Sequence, residues 1–127
     1  MLENRLLILS TLDDILMSLK MIQKRFKHIS SVDDFLSSED NIERLDGISM
    51  RLLAIGEALK NIDKLTNNSL LIQYPQIEWK NIKGLRDILS HHYFDINADI
   101  IFDICDTKID ELVSVIELII RDLQDKA

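Results

Sequence analysis

A chain of 127 residues has room for one domain with its own core. Forty leucines and isoleucines, against three valines, three glycines and one proline, favour helix over sheet. A net charge of −7 speaks against coating nucleic acid or an anionic membrane by bulk electrostatics, while leaving room for a local phosphate site.

The single cysteine, Cys105, allows no intrachain disulfide and suits a reducing compartment. No apolar run approaches the ~18–20 residues of a membrane span. The apolar start Leu6-Leu7-Ile8-Leu9 meets Asp13-Asp14 at once, unlike a signal peptide. A cytoplasmic protein with no membrane partner is expected.

From Leu2 to about Lys27, apolar residues at Leu2, Leu6, Leu9, Leu12, Leu16, Leu19, Ile22 and Phe26 predict a long amphipathic helix. His28 to Ser31 interrupts it. Ser31-Val32-Asp33-Asp34 then reads as an N-cap followed by a short helical turn through Phe35-Leu36. A second long helix is predicted from about Asp40 to Leu65, with Ile42, Leu45, Ile48, Leu52, Ile55, Leu59 and Ile62 on one face. Gly56 lies on that face, where a missing side chain lets another helix approach; Glu57 lies off it, as a flanking or interface residue.

Thr66 to Ser69 reads as a loop, and Leu70-Leu71-Ile72 as a turn of helix lidding the core. Tyr74-Pro75 forces an extended step. Trp79 opens a third long helix ending near His92 to Asp95. The last begins close to Asn97 and runs to Asp125. Four long helices with connections of moderate length predict an all-α, antiparallel four-helix bundle with one or two additional short helices, forming a single domain over residues 1–127.

The chemistry concentrates between Gly84 and Phe94. On an ideal helix at about 100° per residue, Arg86 projects into the apolar arc of Trp79, Ile82, Leu85 and Leu89. A charge there demands a partner. Tyr93 projects in nearly the same direction, and His91 about 140° away. No zinc spacing, phosphate loop or nucleophile elbow is present; the adjacent His91 and His92 point about 100° apart and cannot easily share an ion.

Two readings of these residues stand side by side. In the structural one, Arg86 pairs with a carboxylate from another helix, His91 and His92 sit at a helix C-terminus, Asp87 pairs with His91, and Tyr93 caps the core. In the catalytic one, the guanidinium binds a phosphate and stabilises transition-state charge, and the imidazole moves the proton of a 2′-hydroxyl or leaving oxygen. Lys80 and Lys83 then add phosphate contacts.

Arg86, four residues, His91, one residue and Tyr93 resembles the Arg-x4-His-x-Tyr signature of HEPN-domain proteins. With Ile55-Gly56-Glu57-Ala58 and Tyr74-Pro75-Gln76-Ile77-Glu78-Trp79, the chain is similar more narrowly to the HepT toxins, partnered by MntA-type minimal nucleotidyltransferase antitoxins in type VII toxin–antitoxin systems. That resemblance implies a homodimeric, metal-independent endoribonuclease with no cofactor for cleavage, in which Arg86 and His91 of both subunits face a shared cleft. It also implies that the antitoxin uses ATP to attach AMP to Tyr93, silencing the toxin. Asp87 stands where such proteins often carry asparagine, and His92 is an alternative proton carrier. A non-catalytic HEPN dimerisation or binding module is the rival expectation.

Overall fold

A computed structural model describes residues 2–90 and 97–125. Seven α-helical segments and one 3-10 turn occur among these residues, and no strand does. The helices are α1 (Leu2–Phe26), α2 (Val32–Phe35), α3 (Glu39–Thr66), α4 (Trp79–Lys83), α5 (Leu85–Ser90), α6 (Ala98–Thr107) and α7 (Ile109–Asp125), with the 3-10 turn at Leu71–Gln73. They form four columns, α1, α3, α4 with α5, and α6 with α7, as the expected four-helix bundle requires.

Cross-helix bonds set the antiparallel order. Arg5 near the start of α1 donates to the carbonyl of Leu123 near the end of α7, at 3.0 Å from Nε and 2.5 Å from Nη2. Gln23, near the other end of α1, reaches Asp110 at 2.7 Å. Arg51 of α3 lies 3.4 Å from the Ser18 hydroxyl of α1, while Arg25 packs beside Gly47. Lys83 meets Asp63, and Arg86 meets Glu57, so the α4–α5 column also runs against α3.

Local chemistry explains the boundaries. The Ser31 hydroxyl accepts from the Asp34 amide, whose carboxylate accepts in turn from the Ser30 and Ser31 amides. This reciprocal box starts α2 as the sequence predicts. Ser38 caps α3 through the Asn41 amide at 3.1 Å, and Asn97 caps α6 through the Ile100 amide at 3.2 Å. Helix α3 stops at two left-handed asparagines, Asn67 (φ 51°) and Asn68 (φ 62°), a conformation that asparagine tolerates better than most residues.

The core runs through Leu12, Ile15, Leu19, Ile22, Ile48, Leu52, Ile55, Leu59, Ile62, Ile101, Ile109 and Ile116. At one end, Phe35 of α2 packs against Phe26 and Phe102, with ring centroids 6.2 and 6.4 Å away. The expected lid is present in part: Leu70 and Leu71 are buried, but Ile72 is 74% exposed and the turn is the 3-10 segment Leu71–Gln73.

Three expectations need correction. The buried stripe of α1 is Ile8, Leu12, Ile15, Leu19 and Ile22, with Leu6 60% exposed; apolar residues crowd more than one face of the first turns, so their spacing left the register open. The third long helix is two segments that meet at Gly84, where the Asp87 amide bonds the Gly84 carbonyl three residues back, a tighter turn than an α-helix. The fourth is likewise divided at Lys108, whose φ of −122° departs from helical values.

Candidate functional site

Three sequence stretches far apart in the chain build one corner of the bundle. The first is Ile55-Gly56-Glu57-Ala58 on α3. A Cβ placed on Gly56 would stand 3.1 Å from the Ile82 carbonyl oxygen and 3.8 Å from the Lys83 Cα. Glycine thus lets the end of α4 lie directly on α3, the close approach read from the sequence. The second stretch sets where α4 begins. Trp79 is buried and its indole N–H donates to the Tyr74 carbonyl at 2.9 Å. The Tyr74 hydroxyl reaches Asp122 on α7 at 2.7 Å.

Burial in this contact, then the hydrogen bond and negative charge of Asp122, push the Tyr74 hydroxyl up to about 12. It stays protonated at neutral pH and acts as a structural tie between the α3–α4 connection and α7.

The third stretch is α5. Leu85 and Leu89 are buried, 5% and 6% exposed. Arg86 does not share their environment: its side chain is 63% exposed. The projection that put it inside the apolar arc assumed one straight helix from Trp79. With the turn tightened at Gly84, the direction of Trp79 no longer predicts that of Arg86, which lies about 100° round from Leu85 on α5 itself. The guanidinium therefore escapes the core and carries no large desolvation cost.

Its partner is Glu57, with Nη1 3.2 Å from Oε1. The carboxylate predicted to come from another helix is thus supplied by the residue next to Gly56. Glu57 also lies 3.6 Å from Lys60 and is half exposed, so this triad is open to solvent and worth about 0–1 kcal/mol to stability. Its consequence is positional. Close packing at Gly56 fixes the helix spacing, and Glu57 holds the arginine fork facing solvent. Glu57 lies off the core face as predicted, and its place beside the close-packing glycine is the one sequence signal that links it to Arg86.

The neighbouring cations differ in circumstance. Lys83 is ion-paired with Asp63, both partly buried, with side chains 27% and 13% exposed. Lys80 is exposed. Both border an open groove of about 520 Å³ with Trp79, Asp63, Asn68 and Ile72. Asp87 is exposed on the turn after Arg86. His91, His92 and Tyr93 lie outside the described residues. Among the described residues, no group of three or more His, Cys, Asp or Glu side chains is placed to hold a metal ion. Cys105 is buried, which pushes its thiol up to about 12 and leaves no thiolate for chemistry near neutral pH. No described helix is long and apolar enough to cross a membrane.

Comparison with known proteins gives this corner a context. The sequence profile of a family described as "Ribonuclease HepT-like" matches residues 15–119, a span containing all three stretches. A candidate RNase of Methanocaldococcus jannaschii is 37% identical over 111 residues, covering 87% of this chain and 85% of its own. A candidate RNase of Caldanaerobacter subterraneus subsp. tengcongensis is 32% identical over 110 residues, covering 75% of this chain and 90% of its own. A further M. jannaschii protein, named as both a gamma-glutamylcyclotransferase and a candidate RNase, is 30% identical, covering 88% of this chain and 47% of its own. No solved structure matches the chain significantly.

Proposed function

The chain belongs to the HepT-like ribonuclease family, and on that premise we propose that it is a metal-independent endoribonuclease acting as the toxin of a type VII toxin–antitoxin pair in a prokaryotic cytoplasm. Arg86 and His91 are its catalytic pair. The observation that carries this reading is the exposed Arg86 guanidinium, held toward solvent by Glu57 on a corner built from three family-like stretches.

The chemistry follows from charge and proton bookkeeping. A 2′-hydroxyl attacks the adjacent phosphorus as His91 removes its proton, and the 5′-oxygen leaves as a proton is returned to it. Negative charge on the phosphoryl oxygens grows in between, and a planar guanidinium answers it with paired donors. Arg86 is well suited to that task because Glu57 contacts it through Nη1 while the side chain stays 63% exposed, so the rest of the fork can meet a phosphate as the carboxylate steadies it. Lys80, exposed and one and a half turns earlier, adds a phosphate contact; Lys83 is less available because Asp63 holds it. Asp87 orients His91, and His92 is the alternate proton carrier.

Silencing is assigned to Tyr93. An MntA-type nucleotidyltransferase would transfer AMP from ATP to its hydroxyl, placing a bulky anion beside a site that accepts phosphate. The functional enzyme is proposed to be a homodimer in which two copies of Arg86 and His91 share a cleft.

Cleavage of RNA in the presence of a chelator, by wild type and by separate Arg86→Ala and His91→Ala variants, tests the assignment. Both variants are expected to fold as dimers and lose cleavage. Retained cleavage in either removes that residue from the mechanism, and an inert wild type favours the non-catalytic HEPN binding module. Mass spectrometry after incubation with ATP and the partner reads AMP on Tyr93; an unmodified tyrosine with a demonstrably active partner removes the silencing step.

A further inference from the structure

At the end of the bundle where α1 finishes and α3 begins, four basic side chains gather around one concavity. Lys24, Arg25, His28 and Arg44, with Met21, line a hollow of about 230 Å³. No carboxylate lines it. Among the described residues, none of the four basic groups has a carboxylate within ion-pair distance, although the chain as a whole carries a net charge of −7. Arg44 instead donates to the neutral Asn41 side chain at 2.5 Å.

Arg25 is the sharper anomaly. Its Nη1 is sealed from solvent and has no hydrogen-bond partner. Its guanidinium lies over Gly47, where a Cβ would stand 3.6 to 3.8 Å from Nε, Cζ and Cδ. Buried donors nearly always have a partner, and a partly desolvated charge without one raises the local positive potential. Three permanent cations and an imidazole in a pocket of this size suit a tetrahedral oxyanion. A carboxylate could be provided by the chain itself, which is rich in acids, yet none is placed there.

We propose that Lys24, Arg25, His28 and Arg44 form a phosphate pocket that anchors the RNA backbone away from the cleavage site, an inference resting on the ribonuclease reading above. Arg44 and Glu57 lie thirteen residues apart on α3, roughly 20 Å along its axis. An oligonucleotide of many residues reaches both places; a single nucleotide reaches one.

Two probes test this: inorganic phosphate, followed by the ring resonances of His28, and a twenty-nucleotide 2′-O-methyl RNA that cannot be cleaved, bound over a range of salt. The variants are Lys24→Gln with Arg44→Gln, and Gly47→Asp. The latter adds its Cβ at ordinary contact distance and gives Arg25 a carboxylate, so it should fold and melt no lower than wild type. Phosphate is expected to shift the His28 signals in wild type and in Arg86→Ala, and in neither pocket variant. The salt dependence of RNA binding should become shallower by about 0.7 in log–log slope for each phosphate that the pocket no longer neutralises.

His28 signals that ignore phosphate in wild type overturn the pocket. So do folded pocket variants that bind the RNA with unchanged affinity and slope, even while cleavage upholds the ribonuclease reading. A phosphate response in a protein that neither binds nor cleaves RNA keeps the anion site and overturns its RNA role.

Discussion

Gly56 and Ile82 are so close that a Cβ on the first would lie 3.1 Å from the carbonyl oxygen of the second. The neighbour is main chain at the end of α4 and cannot rotate aside as a side chain would. Gly56→Val is therefore expected to lower stability by about 1–3 kcal/mol through overpacking and to lower cleavage by moving α5 off Glu57. Gly47 provides the internal control. Its nearest neighbours are side-chain atoms of Arg25 at 3.6 Å and beyond, so Gly47→Ala should gain up to about 1 kcal/mol of helix propensity. Urea unfolding of both variants checks the opposite signs.

Glu57→Gln isolates the positioning of Arg86 from its charge. Because both partners are well exposed, stability should change by no more than about 1 kcal/mol. Single-turnover cleavage should fall roughly tenfold, against a loss of about 10²–10³ for Arg86→Ala, the usual cost of deleting a charge-stabilising donor. Equal losses in the two variants would mean that Glu57 does more than orient the arginine.

Phe35 holds the four-residue helix α2 to the bundle and is fully buried between Phe26 and Phe102. Phe35→Ala should cost about 3–5 kcal/mol, read by chemical denaturation. Because α2 and α5 make separate contacts with the core, cleavage by the fraction that remains folded should be unchanged.

Alkaline stability follows from Tyr74 and Cys105, both raised to about 12 in the folded chain. Each is neutral when folded, and the unfolded forms lose their protons first, near pH 10 and 9. The stabilisation is thus complete below about pH 9 and lost as pH climbs toward 12. Tyr74→Phe should be less stable than wild type at neutral pH, having lost the Asp122 bond, and should lose less on going from pH 9 to 11. Thermal melts at the two pH values read the difference.

Most of the architecture was legible because helix periodicity survives in a chain so rich in leucine and isoleucine. The α3 stripe from Leu45 to Ile62, the Ser31–Asp34 box and the Asn97 cap needed only local rules. Gly56 was legible too, since a glycine on the core face of a long helix marks a place where a neighbour comes close. The position of Arg86 was not. A projection wheel carries no information about the tightened turn at Gly84, and a change of phase within that turn decides whether a guanidinium is buried or exposed. The Arg25 pocket was equally hidden, because Lys24, Arg25 and His28 meet Arg44 only through the packing of α1 on α3.

The bond from Arg5 to the Leu123 carbonyl has a practical consequence. It ties the first turn of α1 to the last turn of α7, so both extremities of the fold emerge side by side, opposite the end where α5 stops and α6 starts. A short peptide could therefore bridge them and new ends be opened in the surface loop at Asn67-Asn68, giving a rearranged chain with the same bundle. Purification tags or fused domains placed at either extremity would likewise stand clear of the Arg25 pocket.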